Sequence, residues 1–198
     1  MKKTILNQSY WDNRYTNHQT GWDLGEISPA IKKWFDNQTN KELKILIPGA
    51  GSGYEVKYGF ENGFKNIYYL DLSLEVASRF KRNNPQIPVS QVLNMDFFEF
   101  QQNDFFDVII EQTFFCAINP RLREKYITKA QTLLTEEGKI IGLLFNKKFD
   151  TESPPFGGTI EEYENLFSKK FIIKKLEKAN KSITHRKAYE LWIEFIKK

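Results

Sequence analysis

Three glycines spaced one residue apart, Gly49, Gly51 and Gly53, close the run "KILIPGAGSG" (44–53). Two carboxylates follow, Asp71 near the end of "NIYYLDL" (66–72) and Asp96 at the end of "VSQVLNMD" (89–96). Glycines at a strand end permit tight turns and close approach of main chain to a ligand. A carboxylate there can accept hydrogen bonds from both hydroxyls of a ribose. A second carboxylate further along can receive the 6-amino group of an adenine, with Phe97 or Phe98 beside the ring face. The spacing excludes two phosphate-binding loops. No Gly-Lys-Ser/Thr follows, so this is not a Walker A loop. The dinucleotide fingerprint needs a glycine where Tyr54 stands. What remains is an adenosine without phosphates, and S-adenosylmethionine (SAM) is the cofactor of that description.

The elements that must position these residues are legible in the hydrophobic periodicity. "KILIP" (44–48), "NIYYLDL" (66–72), "VSQVLNMD" (89–96), "FFDVIIEQ" (105–112) and "GKIIGLLF" (138–145) read as strands, the fourth central because its apolar run is nearly continuous. Helices are predicted from about Tyr54 to Gly63, after Ser73 as cap, after Asn119 and Pro120 with Leu122, Tyr126, Ile127, Ala130, Leu133 and Leu134 inward, and over "TIEEYENLF" (159–167) behind a capping box, Thr159 to Glu162. "FIIKKLEKA" (171–179) and "KAYELWIEFIKK" (187–198) are two strands with no helix between them, hence an antiparallel pair. This alternation predicts an α/β fold: a doubly wound, seven-stranded Rossmann-like sheet, mostly parallel with one antiparallel strand near the C-terminus. One domain is expected over 1–198, with helical residues 1–43 as an N-terminal lid and 44–198 as the α/β core. Within the lid, Ile27, Ala30, Ile31, Trp34 and Phe35 share a helical face that starts at Ser28-Pro29.

Composition narrows the partners. The net charge of +4 is small, and no block of five like charges occurs, so neither nucleic acid nor an anionic membrane is indicated. Cys116 is the only cysteine, which excludes a disulfide framework and a cysteine zinc site and points to a reducing cytosol. The start "MKKTILNQSYWDNRY" lacks the apolar core of a signal peptide, and the longest apolar runs are too short to span a bilayer. A cytoplasmic monomer acting on a small molecule, without metal, is the expectation.

Four segments in order carry a family resemblance: "YWDNRYTNHQTGWDLGEISP", "ILIPGAGSGYEV", "EQTFFCAINPRLREKY" and "SPPFGGTIEEYENLF". Together they resemble the class I SAM-dependent methyltransferases of the thiopurine S-methyltransferase family, closest to its halide and thiol methyltransferase branch. The resemblance implies cofactor contacts from Trp11, Tyr15 and Trp22 in the lid, although the plant branch carries Trp where this chain has Tyr15. It implies Gly49 against the amino-acid part of SAM, Gly51 keeping the turn open, Asp71 on the ribose, and Asp96 with Phe97 at the adenine. Glu111 would face the cofactor amino group or the active-site mouth. Arg123 matches an arginine placed near anionic substrate groups, and Arg186, beside the last strand, is a further candidate.

The implied chemistry is transfer of a methyl group by in-line displacement, in which the protein positions and desolvates the two partners. A thiol or halide acceptor needs no strong base, because thiols are already partly ionised near neutral pH. The absence of a clear catalytic dyad agrees with this, and His18 and His185 read as surface residues. Phe114 and Phe115 follow the fourth strand and are candidates for an apolar pocket, with cation–π help to a sulfonium. Cys116 reads as a small buried residue. "SPPF" follows the fifth strand, whereas the Asn/Asp-Pro-Pro-Tyr/Phe motif of amino-group methyltransferases follows the fourth, so its position argues against that chemistry. The alternatives are another small oxygen, nitrogen or metalloid acceptor, or a non-catalytic SAM-binding module.

Overall fold

A computed structural model describes residues 4–149 and 151–198; the first three residues of the expected lid, with its basic start, lie outside the described residues. Two helices, α1 (Gln8–Thr16) and α2 (Pro29–Asp36), precede the first strand. Then follow β1 (Ile45–Pro48), α3 (Tyr54–Glu61), β2 (Ile67–Asp71), α4 (Leu74–Asn83), β3 (Val92–Asn94), β4 (Phe106–Gln112), α5 (Arg123–Leu133), β5 (Leu134–Phe145), α6 (Ile160–Phe167), β6 (Phe171–Lys178) and β7 (Glu190–Lys197).

The seven strands form one sheet in the order β3-β2-β1-β4-β5-β7-β6. The first five pair in parallel, and β7 runs antiparallel to both β5 and β6. That single reversed strand is the one expected from the C-terminal pair. Strand order reverses between β1 and β4, which leaves a crevice at their carboxyl ends, where ligands of open α/β sheets sit.

Alternation along each strand divides the core in two. Leu46, Leu70, Ile109 and Ile140 face α5 and α6, where Tyr126, Ile127, Ala130, Tyr163 and Phe167 are buried. Ile45, Ile47, Val108, Ile110 and Ile141 face the other way, onto Ile31 and Phe35 of α2, Val56 of α3 and Ala77 and Phe80 of α4. A sheet covered on both faces explains why its strands read as unbroken apolar runs.

Three boundaries differ from the expectation. Val89–Gln91 forms a 3-10 turn, so only Val92–Asn94 of the third segment pairs with β2; Val89 is exposed and has no core to join. Leu122 lies in a 3-10 turn before α5 and is exposed. α5 runs directly into β5, which begins at Leu134 because that residue pairs with Phe106 across a register shift. The expected cap of α6 forms by half: Thr159 Oγ1 accepts from Glu162 N at 3.2 Å, while the Glu162 carboxylate is taken by Arg123.

Candidate active site

The crevice is a cavity of about 750 Å³, in the range of sites that enclose a cofactor-sized ligand. Its floor comes from the carboxyl ends of β1, β2 and β4, and its roof from the segment before α2.

The glycine turn is built around close contacts. Gly49 has φ +61°, and a Cβ there would stand 2.5 Å from Cδ2 of Phe114. Gly53 has φ +73° and opens α3; a Cβ there would collide with the Phe80 ring. Only glycine accepts both the left-handed backbone and the missing space. Gly51 donates its N–H to Asp71 Oδ2 at 2.9 Å, and Ser73 N donates to Asp71 Oδ1 at 2.8 Å. Asp71 thus ties the glycine turn to the start of α4. Burial pushes its carboxyl up to about 6, against the lowering effect of these N–H groups. Asp96 accepts from Phe98 N at 2.8 Å, an Asx turn that holds Phe97 and Phe98 at the cavity wall.

The roof is aromatic. Trp11, Tyr15 and Trp22 line the cavity, with Trp22 edge-on to both other rings at 5.6 and 5.7 Å. The Tyr15 hydroxyl is held protonated by burial and by the nearby Asp71 charge. Two carboxylates dock this segment. Asp12 Oδ1 accepts from Ser73 Oγ at 2.6 Å and Glu75 N at 3.1 Å, at the N-terminus of α4. Asp23 Oδ2 accepts from Ser52 Oγ at 2.6 Å, in the glycine turn.

Ten of the thirteen residues singled out from sequence line this one cavity: Trp11, Tyr15, Trp22, Gly49, Gly51, Asp71, Asp96, Phe97, Phe114 and Arg186. Three do not. Glu111 is 1% exposed and points beneath the floor, accepting from Phe114 N and Phe115 N at 2.8 Å each and from Tyr126 Oη at 3.1 Å. Phe115 is packed in the core against Tyr126, Tyr163 and Phe167. Arg123 is 4% exposed, stacks over Phe115, pairs with Glu162 and donates to Gly157 O at 2.8 Å. It braces the "SPPF" segment against α5 and α6, so its charge is spent on the protein.

Arg186 is placed differently. Its Nη2 donates to Trp22 O at 2.9 Å, and its Nη1 stands 3.7 Å from Glu190, too far for a hydrogen bond. Nη1 is buried with no hydrogen-bond partner among the described residues, and the residue itself lines the cavity. Its guanidinium lies over the Phe145 ring at 5.6 Å, and Phe145 packs with Phe149 and Tyr189; these rings line the cavity, as do Pro154 and Pro155. Cys116 also lines the cavity, where burial holds its thiol protonated. His185 stands at the rim and is exposed.

Two further polar residues reach the cavity that sequence reasoning passed over. Both Arg14 and Gln112 line it, and Arg14 Nε and Gln112 Oε1 are buried without hydrogen-bond partners among the described residues. Arg14 lies three residues after Trp11 on α1, the spacing that puts both on one helix face. Gln112 is the last residue of the central strand. Buried polar atoms are normally paired; three residues lining this cavity, Arg14, Gln112 and Arg186, each carry one without a hydrogen-bond partner among the described residues. The glycine backbone, the strand-end acid and the aromatic walls match SAM in chemistry. Among the described residues no group of three metal-ligating side chains occurs, and no helix is long and apolar enough to cross a membrane.

Comparison with known proteins agrees with this geometry. The family profile described as thiopurine S-methyltransferase matches residues 6–193. The chain is 28% identical over 159 residues to a probable thiol methyltransferase 2 of Arabidopsis thaliana, covering 79% of this chain and 70% of that protein. It is 23% identical to a thiopurine S-methyltransferase of Vibrio parahaemolyticus, covering 83% of each. Among solved structures, a 1,6-didemethyltoxoflavin-N1-methyltransferase of Burkholderia thailandensis with bound S-adenosylhomocysteine shares the fold, with a TM-score of 0.75 and 14% identity over 96% of this chain and 86% of that one. The magnesium protoporphyrin IX methyltransferase of Synechocystis does so too, with a TM-score of 0.71 and 12% identity over 96% of this chain and 95% of that one.

Proposed function

Since the chain belongs to the thiopurine S-methyltransferase family and is a SAM-dependent methyltransferase, we propose that its acceptor is a small soft nucleophile: a thiol, hydrosulfide or halide. When bound, SAM supplies an electrophilic methyl group on a sulfonium sulfur. The observation that carries the acceptor class is Arg186, a buried guanidinium that lines the cavity and is only loosely paired with Glu190, at 3.7 Å. Such a group favours an anion. An acceptor that arrives as a thiolate or halide has no proton to lose, so no general base is required.

The remaining residues exclude water and orient. Phe114, Phe145, Phe149, Pro154 and Pro155 wall the acceptor end with apolar surface. Trp11, Tyr15 and Trp22 cover the cofactor end, and Asp71 presents lone pairs for two hydroxyls beyond the two N–H groups it already accepts. Ligands and roof together would leave the acceptor anion poorly hydrated and held in line with the methyl group. The same reading takes the enzyme to be a monomer in the cytosol; the single cysteine supports the compartment. The test is release of S-adenosylhomocysteine from SAM across hydrosulfide, iodide and an aromatic thiol. Turnover with any of them supports the class; turnover only with amine or oxygen acceptors refutes it.

A further inference from the structure

Glu111 is a fully buried carboxylate beside the site that touches no part of the cavity. It closes β4, the central strand. Its Oε1 accepts two consecutive N–H groups, of Phe114 and Phe115, and its Oε2 accepts from Tyr126 Oη on α5. The residue these bonds enclose is Thr113, with φ +60°. A β-branched residue in the left-handed region is a strained outlier that persists only where its surroundings impose it. Thr113 lines the cavity, as do its neighbours Gln112 and Phe114, and the Phe114 ring packs directly on Gly49.

We propose that Glu111 is a positioning residue whose side chain clamps Thr113 in the left-handed conformation, and so sets Gln112 and Phe114 against the glycine turn where the cofactor binds. The clamp itself is read from these hydrogen bonds; its effect on the reaction rests on the SAM reading above. Among the described residues no cation pairs with Glu111; its bonds go to Phe114 N, Phe115 N and Tyr126 Oη. The other ionisable groups near it are Tyr126 of α5, Cys116 of the same turn, Tyr163 of α6 and Glu190 of β7, the last three sharing with it a small void beneath the floor. Burial pushes its carboxyl up to about 7. Either protonation state holds the turn: a proton on Oε2 can be donated to Tyr126 Oη while Oε1 keeps both N–H bonds. A glutamine offers the same pattern, with Oε1 accepting twice and Nε2 donating once.

This separates a clamp from a ligand contact. If Glu111 served a ligand ammonium by its charge, Glu111→Gln would fail as badly as Glu111→Ala. The clamp predicts that Glu111→Gln binds S-adenosylhomocysteine within about threefold of the unaltered protein, and that Glu111→Ala loses about tenfold or more. It further predicts a suppressor. Glycine adopts φ +60° without strain, so Thr113→Gly makes the clamp dispensable, and the double variant recovers most of the loss. Two readouts are taken on the full chain: calorimetry with S-adenosylhomocysteine and thermal melting without ligand. In melting, Thr113→Gly should raise the midpoint more in the Glu111→Ala background than alone. Independent, additive effects of the two substitutions in melting would overturn the clamp, as would failure of Glu111→Gln in calorimetry. If the unaltered protein bound no S-adenosylhomocysteine, the cofactor reading would fall, and the melting cycle would still decide the clamp.

Discussion

The carboxylate of Asp71 receives the backbone N–H of Gly51 at 2.9 Å, a bond between residues twenty apart that fixes the end of β2 to the turn after β1. Its other oxygen holds Ser73 N, and Ser73 Oγ in turn bonds Asp12 of the roof. One acid therefore connects the glycine turn, the start of α4 and the segment that covers the cavity. These bonds hold in place the carboxylate proposed for the ribose.

Asp71→Ala should weaken S-adenosylhomocysteine binding by about 1–3 kcal/mol, through lost charge-assisted hydrogen bonds. The pH dependence follows from its carboxyl, raised from 3.8 to about 6. Ribose hydroxyls favour the ionised form, so binding expels a proton at low pH. Below about pH 6 the affinity should fall by up to roughly tenfold per pH unit, and Asp71→Ala should flatten that fall. Stability of the ligand-free protein runs the opposite way: the folded state holds more protons than the unfolded one between these two values. Asp71's contribution is then most favourable below the lower one and declines as pH rises through about 6. Calorimetry from pH 5 to 8 measures the binding limb; an affinity flat across that range would show that the ribose is not on Asp71.

Gly53→Ala should be costly although it adds one methyl group. The backbone has φ +73°, and the new Cβ would meet Phe80, whose ring is stacked on Tyr69 at 4.5 Å and cannot retreat. Left-handed strain and overpacking together amount to roughly 2–5 kcal/mol. Thermal denaturation should show a midpoint lowered by roughly 5–15 °C for a chain of this size. An unchanged midpoint would mean that the turn is free to rearrange.

Arg123 and Arg186 should separate by phenotype. Arg123→Ala removes the partner of Glu162 and the donor to Gly157 O, so it should destabilise the fold by about 2–4 kcal/mol. Arg186→Lys keeps the charge near Glu190 but loses the planar fork that also holds Trp22 O, in a side chain that lines the cavity. It should raise the acceptor KM about tenfold while leaving S-adenosylhomocysteine affinity within about threefold. Steady-state kinetics beside calorimetry distinguishes the two; an unchanged acceptor KM in Arg186→Lys would remove the anion role.

The strands, the glycine turn and the two strand-end acids were legible because each depends on local pattern: apolar runs, positive-φ glycines, and carboxylates at element ends. The fate of the two arginines was not. Both stand beside an element boundary, and only tertiary contacts separate a brace from a cavity wall. Glu111 could have been read better. Strand alternation puts it on the same face as Ile109, which packs toward α5; a period of two already points its side chain under the floor. Arg14 was visible in principle from its helical spacing to Trp11. The shortened third strand was not, since Val89 has high strand propensity and only the lack of a neighbouring surface keeps it out of the sheet.

The most direct test of the central claim offers the enzyme both kinds of nucleophile in one molecule. An aminothiophenol is incubated with SAM carrying a deuterated methyl group, and the site of the label is located by mass spectrometry. A cavity that selects soft anions by Arg186 and supplies no base predicts label on sulfur, as the S-methyl thioether. Label on nitrogen, with sulfur untouched, would contradict the account.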